Sequence, residues 1–330
     1  MKLDEWYSSA ANQNLKERVR TEVANAFPTI PRDGVMEWLE HGLKDRHQFR
    51  PYLLLALNGV LESDADIDED LLKFATAIET SHQASLIVDD ITDGHDVRGK
   101  RRQSLHTRYG DGIAATMSHS FIAVAEKCVH ESGFSSEQKI AALKLMTQAK
   151  IDMACGQYAD VFETEKPPSV SWINWLKEQS YLKTSALMTM PFGATSIIKN
   201  LNESATRRLM VCGHALGGAY QVGDDVRDMQ PELGKLTLSY PLAVLLDELD
   251  NQDLQFVESL VSRGRIGDEA EVNRLKGIVN GERSRILQLA EADVSLLEQQ
   301  AVSFPNGLSG RFAAQEIIDL VKGIIKSSSS

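Results

Sequence analysis

Two short acidic runs hold the residues best suited to chemistry. In SLIVDDITD, Asp89 and Asp93 are four residues apart with Asp90 between them, and YQVGDDVRD repeats the pattern with Asp224, Asp225 and Asp228. On a helix, residues four apart share a face, and the intervening aspartate is turned away by about 100°. Gln221 lies one turn before Asp224. Like charges at this spacing destabilise an isolated helix, so both runs call for a compensating cation. Carboxylate oxygens suit a hard divalent ion, and Mg²⁺ commonly bridges one or two carboxylates to a substrate phosphate. The basic run that follows the first cluster, VRGKRRQS with Arg98, Lys100, Arg101 and Arg102, would meet such a phosphate. A single acidic cluster is cheap in a chain with 47 acidic residues. ESDADIDED (62–70) makes the point: Glu69 stands where a calcium loop needs glycine and Ala75 where it needs glutamate, so it reads as a solvated helix start. Two clusters of one pattern, each closing an apolar helical run, are a different matter.

The elements that must position them are helices. Apolar residues recur at helical spacing throughout, and strand alternation bounded by hairpin turns is absent. Long helical segments are RPYLLLALNGVLE, EDLLKFATAIETSHQASLIVDD, SSEQKIAALKLMTQAKIDMACGQYADVFE, ESATRRLMVCGHALGGAYQVGDDVRD and DEAEVNRLKGIVNGERSRILQLAEADVSLLEQQAV. Ser135 and Asn202 precede acidic first turns, as N-caps do. Prolines gather at joints, at Pro28, Pro31, Pro167, Pro168, Pro231 and Pro241. No repeat or low-complexity linker divides the chain. The expectation is an all-α fold in one domain over 1–330, with 326–330 a frayed tail.

Bulk properties narrow the setting. The net charge of -12 disfavours non-specific nucleic-acid binding. Cys128, Cys155 and Cys212 have no metal-ligand spacing and read as reduced thiols of a cytoplasmic protein. The opening MKLDEWYSSAANQNLKERV lacks the apolar core of a signal peptide. No run approaches the roughly 18 apolar residues of a membrane span.

HQASLIVDDITD and AYQVGDDVRD together resemble the trans-isoprenyl diphosphate synthase (polyprenyl synthase) family. His82 stands seven residues before Asp89, as in that family. RPYLLLA, GQYAD, KTSALM and GKLTLSYPL follow in family order across roughly residues 40–245. The resemblance implies a large helical bundle of the isoprenoid synthase type with a central apolar cavity, acting as a homodimer. It implies a trans-prenyltransferase that ionises an allylic diphosphate and condenses the cation with isopentenyl diphosphate. Asp89, Asp93 and Asp224 would hold about three Mg²⁺ on the allylic diphosphate, with Asp90, Asp225 and Asp228 supporting those ions directly or through water. Lys183, Thr184, Gln221, Lys235 and Arg98 match positions around that diphosphate, while Arg50 and His82 match groups that bind isopentenyl diphosphate. The released diphosphate is the implied base for the final proton loss. Gln157 and Asp160, one turn apart, could instead form an interhelical hydrogen bond, and Met153, Met188 and Met190 read as core.

Three departures stand out. RHQFRP places His47 where the family has lysine and Gln48 where another basic residue is common, with Arg50 kept. VRGKRRQS has one extra residue, leaving open whether Arg101 or Arg102 is the second arginine of the phosphate site. Lys235 comes only seven positions after Asp228, where the family carries a longer loop. Two of these fall on the isopentenyl diphosphate side, where histidine for lysine lowers positive charge near neutral pH. Two further expectations are therefore carried forward: a class I terpene cyclase or a prenyltransferase with another acceptor, and a catalytically silent regulatory subunit. Short-chain members place an aromatic residue four or five positions before the first aspartate, as the floor of the product pocket. Here those positions are Ser85 and Ala84, with Ser81 one turn below. A product of C20 or longer is expected. Replacing Ala84 with Phe should shorten the product found by mass spectrometry, and an unchanged length would refute the pocket assignment.

Overall fold

The computed structural model describes residues 2–26, 48–62, 67–98, 102–162 and 170–328. Among them are fifteen α-helices and two ribbons of two-residue strands. The chain divides into two compact units. One comprises Met1–Gln148, Met190–Leu209 and Pro305–Ala313, the other Ala149–Thr189, Met210–Phe304 and Ala314–Ser330.

The first unit is built around helix α4 (Glu69–Asp93), preceded by α1 (Leu3–Ser8), α2 (Ala10–Ala26) and α3 (Phe49–Leu57). Every residue of α3 is buried. Asp68 caps α4, its carboxylate accepting the Leu71 amide, so this end of the acidic 62–70 run is the expected helix start. Helix α4 packs most extensively against α6 (Asp111–His130), which follows the short α5 (Leu105–Tyr109). Ser118 Oγ on α6 donates to the Ala84 carbonyl at 2.9 Å. Gly94 then ends α4 with a left-handed φ of 68°, a conformation that costs glycine little.

Helix α7 (Ser136–Phe162) starts with a reciprocal capping box, the Gln138 amide bonding Ser135 Oγ and the Ser135 amide bonding Gln138 Oε1. Helix α9 (Leu182–Ile198) follows α8 (Trp172–Glu178), and Asn202 caps α10 (Glu203–Arg227) by accepting the Ala205 amide. In the second unit, α11 (Tyr240–Glu248) packs against α8, α12 (Asn251–Arg263) and α14 (Arg283–Ala301). The first amides of α8, at Trp172 and Ile173, both bond the Asp247 carboxylate of α11. α13 (Glu269–Gly281) and α15 (Arg311–Ser327) complete the helices.

Two details depart from the sequence reading. DEAEVNRLKGIVNGERSRILQLAEADVSLLEQQAV is two helices, α13 and α14, separated at Glu282 beside the helix-breaking Gly281. Strands, unexpected from the alternation pattern, occur as β1 (Val97–Arg98) with β2 (Arg102–Gln103), and β3 (Gly234–Lys235) with β4 (Arg265–Ile266). Two residues per strand are too few to leave a periodic signal. Met188 and Met190 are core, as expected. No helix among the described residues is long and apolar enough to cross a membrane.

Burial separates the thiols. Cys128 and Cys212 are buried and Cys155 is exposed; burial pushes the Cys128 thiol up to about 12. At pH 8 a water-soluble disulfide reagent should label Cys155 alone, the other two reacting only after denaturation. Rapid labelling of Cys128 in the native protein would contradict this packing.

Candidate active site

The first acidic cluster closes α4. Asp90 is buried while Asp89 and Asp93 are partly exposed, as the 100° offset requires. The Asp90 carbonyl accepts the Gly94 and His95 amides, which ends the helix there. Helix C-termini carry partial negative charge, so three carboxylates in this turn are disfavoured unless cations meet them; α4 has no basic residue in its own last turn. His82 and Arg50 are both buried at 9 % exposure. Ser81 and Ala84 are covered and Ser85 is half-buried. Arg98 and Arg102 lie opposite one another in the β1–β2 register. Arg101 and His47 fall outside the described residues. Gln48 precedes α3 with a left-handed φ of 48°, which a non-glycine residue rarely adopts.

The second cluster closes α10, and Asp225 has surroundings apart from those of Asp224 and Asp228. Asp225 is half-buried among three donors: Tyr181 Oη at 2.7 Å, Gln221 Nε2 at 2.8 Å and the Tyr240 amide at 2.7 Å. The Tyr240 amide begins α11 and has no helical acceptor of its own, so Asp225 caps that helix from a neighbouring one. Burial raises the Asp225 carboxyl to about 6, although all three hydrogen bonds pull it down. Burial and the Asp225 charge together hold the Tyr181 hydroxyl well above the usual tyrosine range, so it remains a donor. Asp224 and Asp228 instead share Arg227. Its guanidinium reaches Asp224 at 2.7 Å through Nη2 and Asp228 at 3.1 Å through Nε. Burial raises the Asp224 carboxyl and Arg227 draws it back down.

Lys183, Thr184 and Gln221, predicted together, are brought together. Thr184 Oγ1 donates to Gln221 Oε1 at 2.7 Å, and the other end of Gln221 bonds Asp225. Gln157 and Asp160 of α7 both hold Lys183, whose ammonium is 2.5 Å from Asp160 Oδ2 and 3.4 Å from Gln157 Oε1. The Ser180 hydroxyl donates to the other Asp160 oxygen at 2.9 Å. The network continues through Tyr240 Oη to Asp293 on α14, where Lys177 also bonds. Lys235 lies on β3 opposite Arg265, apart from this network in sequence and element.

Sequence reasoning missed what sets the start of α9 in place. A methyl group on Gly156 of α7 would sit 2.4 Å from the Lys183 amide nitrogen, and one on Gly217 of α10 would sit 2.5 Å from Ser185 Cα. Two helices therefore press backbone to backbone on α9 beside Lys183 and Thr184. The available signal was a glycine inside a long helix, which costs about 1 kcal/mol against alanine and so points to a packing reason.

A model of the polyprenyl synthetase family matches residues 35–239. The chain belongs to that family. Among curated members of known activity, it is 28 % identical over 193 residues to a short chain isoprenyl diphosphate synthase of Methanocaldococcus jannaschii. It is 30 % identical over 204 residues to a geranylgeranyl diphosphate synthase of Pantoea ananas. These matches span 57 % and 59 % of this chain, and only 56 % and 65 % of the two relatives. A polyprenyl synthase of Caulobacter crescentus, crystallised with calcium and isoprenyl diphosphate, superposes with a TM-score of 0.77 at 19 % identity over 97 % of each chain. That likeness fixes the polyprenyl synthetase fold as all-α here.

Metal fit follows from the donor chemistry. Among the described residues, no three His, Cys, Asp or Glu side chains group closely enough to enclose an ion. An all-protein cage is therefore absent there, while Mg²⁺ characteristically takes one or two carboxylates and completes its shell with water and phosphate. The aspartate pairs meet that requirement.

The glycine contacts can be tested directly. An exposed helical Gly→Ala change gains about 1 kcal/mol, but at Gly217 the clash with main chain outweighs it. Gly217→Ala should cost about 1–3 kcal/mol of stability by urea titration. An unchanged or higher midpoint would mean that α9 is not clamped there.

Proposed function

We propose that this chain, acting as one domain over 1–330, is a cytoplasmic, homodimeric trans-prenyltransferase. It joins an allylic diphosphate to isopentenyl diphosphate to give a longer prenyl diphosphate of C20 or more. The observation that carries this reading is the bonded set Lys183–Asp160 and Thr184–Gln221–Asp225, which ends within the second DDxxD cluster, in a chain whose family model matches residues 35–239.

Asp89, Asp93, Asp224 and Asp228 are the residues that would hold Mg²⁺, with Asp90 and Asp225 behind them. Bound Mg²⁺ supplies positive charge to the leaving diphosphate, which lowers the barrier to carbon–oxygen cleavage. Lys183 meets the diphosphate already oriented, because Asp160 and Gln157 hold its ammonium in place and limit the rotamer entropy lost on binding. Thr184 and Gln221 are likewise preset by their mutual bond. Arg98, Lys235 and one of Arg101 and Arg102 add cations for the same group. Arg50, His82 and His47 receive isopentenyl diphosphate. Ser81, Ala84 and Ser85 line the growing chain.

Incubation with a panel of allylic diphosphates and Mg²⁺, with and without isopentenyl diphosphate, tests the reading by mass spectrometry. Longer diphosphates should form only when both substrates are present. Asp89→Ala and Asp224→Ala should each lower kcat by about 10²–10³-fold. Hydrocarbon formed from the allylic substrate alone would identify a cyclase. A product carrying a different acceptor would identify another prenyltransferase. Turnover only after addition of a second protein would identify a regulatory subunit.

A further inference from the structure

The two acidic helix ends differ in one respect that charge alone makes consequential. Helix α4 brings no basic residue into its last turn, whereas α10 brings Arg227. The guanidinium contacts Asp224 Oδ1 at 2.7 Å, and both oxygens of Asp228 at 3.1 and 3.2 Å. It thus spans the two carboxylates that lie one turn apart. Charge-assisted bonds of this forked kind are among the stronger ones available to a carboxylate. Asp228 and the Asp224 carboxyl together raise the affinity of Arg227 for its proton, so the guanidinium is permanently charged.

We propose that Arg227 is a resident counter-ion of the second cluster, one that a divalent metal must displace from Asp224 and Asp228. This rests on the reading of those two aspartates as metal ligands. The same lone pairs cannot serve guanidinium N–H groups and a metal at about 2.1 Å. A metal that takes Asp224 Oδ1 together with Asp228 enters as Arg227 swings off, an easy movement for a side chain that is half exposed. The displaced charge stays nearby on the same helix and repels the incoming ion. The consequence is that α10 offsets part of its own negative charge and binds metal more weakly than its carboxylates alone would. Charge delivered by a diphosphate offsets that repulsion, so metal and diphosphate favour one another's binding at this end.

The test uses Mn²⁺ alone, which shares the preference for hard oxygen ligands, titrated into the full-length protein while free Mn²⁺ is followed by electron paramagnetic resonance. Arg227→Gln should bind Mn²⁺ about tenfold more tightly than wild type, the size expected for one unit charge removed beside a divalent ion at a solvated site. Arg227→Lys, which keeps the charge, should stay close to wild type. The gain should shrink as NaCl is raised, since the repulsion is screened. Equal or weaker binding by Arg227→Gln, or Mn²⁺ left free in both proteins, overturns the counter-ion role. Asp224→Asn in the Arg227→Gln background separates the two ideas. If the added affinity disappears there, the metal was on this cluster. If tight binding persists undiminished, the metal lies elsewhere, and the ligand assignment falls together with the role of Arg227. A parallel titration with inorganic pyrophosphate guards against the remaining alternative. Unchanged Mn²⁺ affinity with weakened pyrophosphate binding would make Arg227 an anion ligand and overturn the proposal.

Discussion

A half-buried carboxylate that draws donors from three elements is the constraint on which the second unit is organised. Removing one ionised group from water costs several kcal/mol even after relaxation, and Asp225 offsets this with three donors from three directions. Tyr181 precedes α9, Gln221 belongs to α10 and Tyr240 opens α11. Losing a donor would leave a buried acceptor unsatisfied at about 1–3 kcal/mol, so each of those elements is held by the others' presence. Gln221 also carries the bond to Thr184, and Tyr240 carries one to Asp293. Stability and the placing of Thr184 and Gln221 are therefore the same set of contacts.

Within one DDxxD run, neighbouring aspartates have unlike work. Asp225 turns inward to bind helices together, while Asp224 and Asp228 turn to the partly exposed side and share a guanidinium. The helical offset alone separates the inward residue from the outward pair. It could be read from the sequence. Which side would be inward could not, because that depends on Tyr181 and Tyr240, residues distant in the chain.

The same distinction governs the rest of what was legible. Long helices and their caps at Ser135 and Asn202 follow from local spacing, and the grouping of Lys183, Thr184 and Gln221 from the family resemblance. The hold of Asp160 on Lys183 was foreseen only as an unspecified interhelical bond. Arg227 stood inside the quoted motif without a role, since nothing local says that a basic residue one position before Asp228 will reach both outward carboxylates. The β1–β2 and β3–β4 ribbons escaped notice because each is a matter of one or two cross-strand pairs.

Gly156 and Gly217 press main chain against main chain in the first turn of α9. With no side chain wedged between, the register of that helix is insulated from substitutions in the surrounding packing. Residues that line the rest of the protein can drift in size without dragging Lys183 along.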